Sequence, residues 1–132
     1  MRTVDIGRLG ERQAAKFLKR AGYRIIDTNV HISHNEIDII ANNREYIVFV
    51  EVKARSTNIR LESDFGTPAS AVDRNKIRRT LDAARVYLRE HSSSLRVRGR
   101  QPRFDVVEVY LDRDSHDVLK INHIENAFGA KY

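Results

Sequence analysis

Residues Glu36–Arg55 read EIDIIANNREYIVFVEVKAR, two apolar runs separated by the polar break Asn42-Asn43-Arg44-Glu45. Side chains alternate along a strand, so Glu36, Asp38 and Ile40 are expected on one face of the first run, with Ile37 and Ile39 on the other. In the second run Ile47, Phe49, Glu51 and Lys53 share a face, and Val48, Val50 and Val52 form the opposite one. Both faces are largely apolar, the pattern of strands covered by helices on both sides. The polar exceptions, Asp38, Glu51 and Lys53, gather at one end, where a buried charge is costly unless it is paired or bound to a metal.

Register decides whether these charges meet. A two-residue turn at Asn42–Asn43 would set Asp38 opposite Ile47, roughly 13 Å along the strand from Glu51. A loop over Asn42–Glu45 sets Asp38 opposite Phe49 and diagonal to Glu51, about 7–8 Å away between Cα atoms. The longer loop is expected, because the shorter one strands two charges inside the sheet. Any even-length loop is expected to keep Asp38, Glu51 and Lys53 on one face.

Upstream, Asp5–Ala21 has helical spacing: Ile6, Gly10, Ala14, Phe17, Leu18 and Ala21 form the apolar stripe, and Gly22 stands at the C-terminal cap. Glu11 borders that stripe, a position that fits a solvated rim residue as well as a functional one. Arg8, Arg12, Lys16, Lys19 and Arg20 make the other face basic. Tyr23–Asn29 reads as a strand and Val30–Asn35 as a polar connection. The loop histidines His31 and His34 lack the cysteine or spaced histidine partner of a metal site.

Downstream, Ser56–Gly66 is polar and aperiodic and reads as a loop. Thr67-Pro68 is a helix-start signal for a helical region running to about Glu90, with a break near Asp73. Ile77, Leu81, Ala84 and Leu88 give its buried stripe. Arg74, Arg78, Arg85 and Arg89 fall near one another on another face, and Lys76 sits near the start of the longer helix. An arginine row can hold phosphates or simply be solvated. His91–Pro102 reads as a loop, RFDVVEVYL (Arg103–Leu111) as a strand, VLKINHI (Val118–Ile124) as a last strand, and the tail as a short helical turn. Helix, three strands, helix, two strands implies a mixed sheet flanked by helices, an α/β or α+β single domain over residues 1–132.

Composition bounds the function. The 132 residues suffice for one modest core, and 41% apolar with 32% charged residues describes a folded globular chain. No apolar run approaches the ~20 residues of a bilayer span, and the N-terminus lacks an apolar signal core. No cysteine is present, which excludes disulfides and thiolate metal sites. A cytoplasmic address and no membrane partner are the expectations. A net charge of +6 and a pI near 9.9 favour a polyanion such as nucleic acid.

Two carboxylates and an ammonium offer hard oxygen ligands of the kind that suit Mg²⁺ or Mn²⁺. A metal eases deprotonation of its bound water and neutralises charge building on a phosphate, while a lysine two residues from Glu51 can orient water or hold a phosphoryl oxygen. The pattern matches metal-assisted phosphodiester hydrolysis; an Asp–Lys or Glu–Lys ion pair at a strand end is the structural alternative.

Asp38 followed by Glu51-Val52-Lys53 resembles the PD-(D/E)xK restriction-endonuclease-like superfamily. Gly10-Glu11, Ala21-Gly22-Tyr23, EIDII (Glu36–Ile40), VFVEVKAR (Val48–Arg55), FGTP (Phe65–Pro68), Lys76 and RFDVV (Arg103–Val107) are similar to the YraN family of predicted bacterial endonucleases. The resemblance implies a restriction-endonuclease-like α/β fold, a central mixed five-stranded sheet flanked by helices. It implies Asp38 and Glu51 as metal ligands and Lys53 as the catalytic lysine. Glu11 resembles the helix glutamate that archaeal Holliday junction resolvases add to the metal site, which makes it a third ligand. Arg55 and Lys76, with Arg74 and Arg78 of the arginine row, are the expected phosphate contacts. Asp105 matches the family pattern, with a structural role as its reading. Asn35 stands where the family commonly has Gly. The expected activity is a Mg²⁺- or Mn²⁺-dependent endonuclease acting on DNA, including branched or damaged DNA. The alternative is a non-catalytic or partner-dependent nucleic-acid-binding module on the same fold. A homodimer is expected because branched substrates need two cuts, though no self-complementary surface is legible.

Overall fold

A computed structural model of the chain describes residues 5–57 and 74–128. The elements are α1 (Ile6–Arg20), β1 (Arg24–Ile32), β2 (Asn35–Asn42), β3 (Tyr46–Thr57), α2 (Arg74–Glu90), β4 (Gln101–Asp112) and β5 (Val118–Ile124). The strands form one five-stranded sheet in the order β1-β2-β3-β4-β5. β1, β2 and β3 are antiparallel neighbours, β3 and β4 run parallel, and β4 and β5 are antiparallel. The parallel pair requires a crossover, and α2 lies within it. The result is the expected α/β architecture with a mixed sheet, consistent with a restriction-endonuclease-like fold.

Asp5 caps α1 by accepting a hydrogen bond from the Arg8 backbone N–H, 3.1 Å. At the other end Gly22 adopts φ +99° and Tyr23 N–H reaches back to the Leu18 carbonyl at 3.0 Å, which satisfies an orphan carbonyl and ends the helix. Gly10, Ala14 and Leu18 are the buried stripe of α1, against Ile39, Ala41, Val48, Val50, Val107 and Val109 on one face of the sheet. The α2 residues Ala83, Ala84 and Tyr87 cover Ile37, Ile40, Ile47 and Phe49 on the other face, and Ile77 and Leu81 pack on Val106. Full burial of each large side chain contributes about 1.5–3 kcal/mol.

Several expectations need correction. The polar connection Val30–Asn35 does not exist as such: β1 continues to Ile32, Asn35 already belongs to β2, and the turn is Ser33–His34, with Ser33 at φ +58°. Asn35 therefore needs no glycine-like conformation. At the next hairpin Asn42 pairs with Ile47 and the Asn43 N–H donates to the Tyr46 carbonyl, so the turn is Arg44–Glu45. The Asn43 side chain fixes it by accepting from the backbone N–H groups of Glu45 and Tyr46 at 2.9 and 2.7 Å. This register lies two residues beyond the expected one. Ser56 and Thr57 extend β3 and are not loop, and Gln101 and Pro102 open β4. The remainder of the Ser56–Gly66 loop, the Thr67-Pro68 helix start and FGTP lie outside the described residues.

Candidate metal centre

With Ile39 opposite Val50, one further step sets Asp38 level with Glu51, directly across instead of diagonal. The β2–β3 ladder stops there. Ile39 packs on the α1 face, yet Ile37 joins Ile40 on the α2 face, so the expected alternation fails at Asp38. Asp38 turns into the gap between the two strands, where its Oδ2 accepts the Val52 backbone N–H at 2.8 Å. A side chain thus takes a donor that a continued ladder would give to a carbonyl of β2. Asp38 and Glu51 are neighbours by register and not by sharing a plain sheet face.

Two sets of groups converge on this gap. From the α2 face comes Glu51, buried, with Lys76 Nζ 3.1 Å and Lys53 Nζ 3.6 Å from its Oε1. From the α1 face comes Glu11. Glu11, Glu36 and Asp38 each offer an oxygen within 4.8 Å of the others. The close approach of α1 has a steric basis: a Cβ on Gly10 would fall 2.4 Å from the Ala54 Cβ, so only glycine lets the helix lie this low on β3 and bring Glu11 to the gap.

The electrostatics follow from that crowding. Burial, then the Glu51 charge, raise Asp38 from 3.8 to about 7, against the Val52 N–H bond and the more distant Lys76 charge. Burial and the Glu36 charge likewise raise Glu11. Among the described residues no Lys or Arg lies within ion-pair distance of Asp38 or Glu11. Among the described residues, the lysines that reach this cluster, Lys53 and Lys76, both pair with Glu51.

Lys76, read as a phosphate contact, instead pairs with Glu51 within the site. Arg74 and Arg78 are exposed on α2 and do not join it. Arg55 is half-buried, level with Tyr110 of β4. His31 is an exposed β1 residue 3.9 Å from Glu36. Glu36 was not among the sequence candidates; the signal was its place two residues before Asp38 on the same strand. Glu108 was also missed. It stands level with Lys53 on β4, fully buried, with Oε2 lacking any hydrogen-bond partner among the described residues and Oε1 accepting from Asn122 at 3.3 Å.

Asp105 has a different task. Its carboxylate is fully buried on the α1 face, where it accepts two bonds from Arg103 (2.9 and 2.8 Å), one from His123 (2.7 Å) and one from the Asn126 N–H (2.9 Å). Burial alone would raise its pKa; the His123, Arg103 and Asn126 bonds outweigh burial and hold it below the usual carboxylate value. The Arg103 guanidinium also stacks over Tyr46, 4.6 Å from the ring centroid, and donates to the Tyr23 hydroxyl. This buried network ties β4 to β5 and to the start of β1, which is the structural role expected of RFD.

Comparison with known sequences places the chain. The profile described as uncharacterised protein family UPF0102 matches residues 10–109, a span that contains Glu11, Glu36, Asp38, Glu51, Lys53 and Asp105. The chain belongs to the UPF0102 family. A UPF0102 protein of Caldanaerobacter subterraneus is 41% identical over 123 residues, 93% of each chain. One from Alkaliphilus oremlandii is 43% identical over 123 residues, 93% of this chain and 97% of the relative. One from Parabacteroides distasonis is 40% identical over 129 residues, covering 98% and 96%. The alignments cover 93–97% of these relatives. No helix among the described residues is long and apolar enough to cross a membrane.

Proposed function

We propose that this UPF0102 chain is a divalent-metal-dependent endonuclease that hydrolyses DNA phosphodiester bonds, including those of branched or damaged DNA. One observation carries the reading: Glu11, Glu36, Asp38 and Glu51 crowd one gap in the sheet, and among the described residues no Lys or Arg pairs with Asp38 or Glu11. All donors are carboxylate oxygens, the chemistry that suits Mg²⁺ or Mn²⁺. Octahedral bonds of about 2.1 Å place ligand oxygens about 3–4.2 Å apart, so the trio needs only small side-chain rotations. A bound ion would supply a more acidic water and neutralise charge on the scissile phosphate.

The chain's own groups do the rest. Glu11 and Asp38 hold ligand positions from α1 and β2, with Glu51 and Glu36 beside them. Lys53 presents an ammonium next to Glu51, where it orients water or holds a phosphoryl oxygen. Arg74 and Arg78 of α2 meet flanking phosphates, with the net positive charge supporting approach of the polyanion. Two cuts on a branched substrate imply a homodimer, which light scattering on the purified chain checks.

The test is direct. Purified protein is incubated with junction, flap and duplex DNA in Mg²⁺ or Mn²⁺, with and without chelator. Metal-dependent cleavage that Glu51→Ala abolishes supports the reading; no cleavage of any substrate by wild type or variant sinks it. The Lys53 and Lys76 contacts of Glu51 favour a second reading, in which that carboxylate is already neutralised and the protein binds nucleic acid without cutting. Salt-dependent DNA binding that survives both chelator and Asp38→Ala would select that one.

A further inference from the structure

Asn29 lies in β1, exposed, with a left-handed backbone at φ +51°, a conformation that Asn tolerates better than most residues. Its carboxamide sits between two carboxylates from different elements. With the nitrogen facing them, it donates to Glu36 Oε1 at 2.7 Å and to Glu11 Oε2 at 3.1 Å. The opposite assignment would set an amide oxygen against two anions and leave the nitrogen among donors. Glu11 and Glu36 repel each other, and each raises the cost of ionising its neighbours, so nothing in their own chemistry keeps them together. An NH₂ group carries two donors and no net charge, which lets it bridge two anions without itself cancelling the charge that attracts a cation.

We propose that Asn29 is a positioning residue whose carboxamide clamps Glu11 of α1 to Glu36 of β2, setting both carboxylates at cation-binding spacing before an ion arrives. The proposal rests on the cation-binding reading of this cluster. It places the left-handed residue of β1 at the bridge between α1 and β2. It also separates two roles: Glu11, Glu36 and Asp38 offer oxygens to the ion, whereas Asn29 acts through two of them. Outer partners of metal ligands commonly account for 10–100-fold in affinity.

Two measurements test it on the full chain. The first reads the clamp without metal, from the side-chain amide ¹H–¹⁵N signals of Asn29. Glu11→Ala should shift one amide proton upfield and Glu36→Ala the other; signals indifferent to both variants overturn the proposal. The second titrates Mn²⁺ and follows the electron paramagnetic resonance of the free ion. Asn29→Gly keeps the left-handed backbone without strain and removes only the donors. It should weaken Mn²⁺ binding by about tenfold, with the thermal midpoint in chelator close to wild type. Wild-type Mn²⁺ affinity in Asn29→Gly contradicts the proposal. Wild-type protein that leaves the Mn²⁺ signal unchanged overturns the cation reading itself, and with it the role given to the clamp, while the amide signals still report whether the bridge forms.

Discussion

At Asp38 a carboxylate is held between Glu51 and Glu11 with a single backbone N–H to stabilise its charge. Its folded pKa of about 7 lies above the unfolded value, so the group costs stability wherever it must ionise. That cost is absent below pH ~4, grows between there and the folded value, and is fully developed above it. Asp38→Asn should therefore stabilise the metal-free protein by about 1–3 kcal/mol at pH 8 and by nothing measurable at pH 3.5, as read by urea unfolding. Divalent metal should reverse the ranking at pH 8, because the ion binds only the ionised wild type. Asp105 has the opposite sign. Its lowered pKa contributes stability present above about pH 4 and lost as pH falls through the folded value. Arg103→Met leaves that carboxylate buried beside only His123 and one N–H, and should cost about 3–5 kcal/mol without altering Mn²⁺ affinity. Residue pattern alone does not separate the two, both aspartates set in apolar strands; only the family resemblance assigns metal to Asp38 and a structural role to Asp105. What differs is the partner: Val52 and Glu51 of β3 and Glu11 of α1 for Asp38, and Arg103 of β4, His123 of β5 and the Asn126 N–H for Asp105.

At the scale of elements, the packing of α1 on β3 and the register of the β2–β3 hairpin set the site. Helix periodicity and the Gly22 stop were readable, because each rests on residues within one or two turns. The hairpin register was readable only to within two residues. Its turn is fixed by Asn43 accepting from two backbone N–H groups, a choice that Asn42, one residue earlier, offers equally well on paper. The break in alternation at Asp38 was not legible at all, since it arises where two strands part. Gly10 shows what the helix contributes. Gly10→Ala pushes a methyl into Ala54, lifts α1 and carries Glu11 away from Asp38. It should cost about 1–3 kcal/mol in stability and weaken Mn²⁺ binding by about tenfold. Adding Ala54→Gly restores the space, so the double variant should recover most of both losses; a double variant no better than Gly10→Ala would show that the contact is not the cause.

For the whole molecule, helix, three strands, helix and two strands gave the mixed sheet, because each element carries its own period. Residues that converge from α1, β2, β3 and α2 were harder to foresee. Glu51 and Lys53 are legible together because only Val52 separates them, whereas Glu36 reads only as a residue on the Asp38 face and nothing local ties Lys76 to Glu51. The net charge of +6 predicts salt-dependent DNA binding. Replacing both Arg74 and Arg78 with Gln should reduce the slope of log affinity against log salt by about 1–2, measured by fluorescence anisotropy, while Mn²⁺ affinity stays unchanged. If the crowded carboxylates hold a divalent ion, anomalous diffraction from crystals soaked in Mn²⁺ will reveal it. A peak about 2.0–2.2 Å from Asp38 and from at least one of Glu11, Glu36 and Glu51 is the predicted result. No peak at Asp38 in crystals whose mother liquor keeps Mn²⁺ at millimolar concentration above pH 7.5 would contradict it.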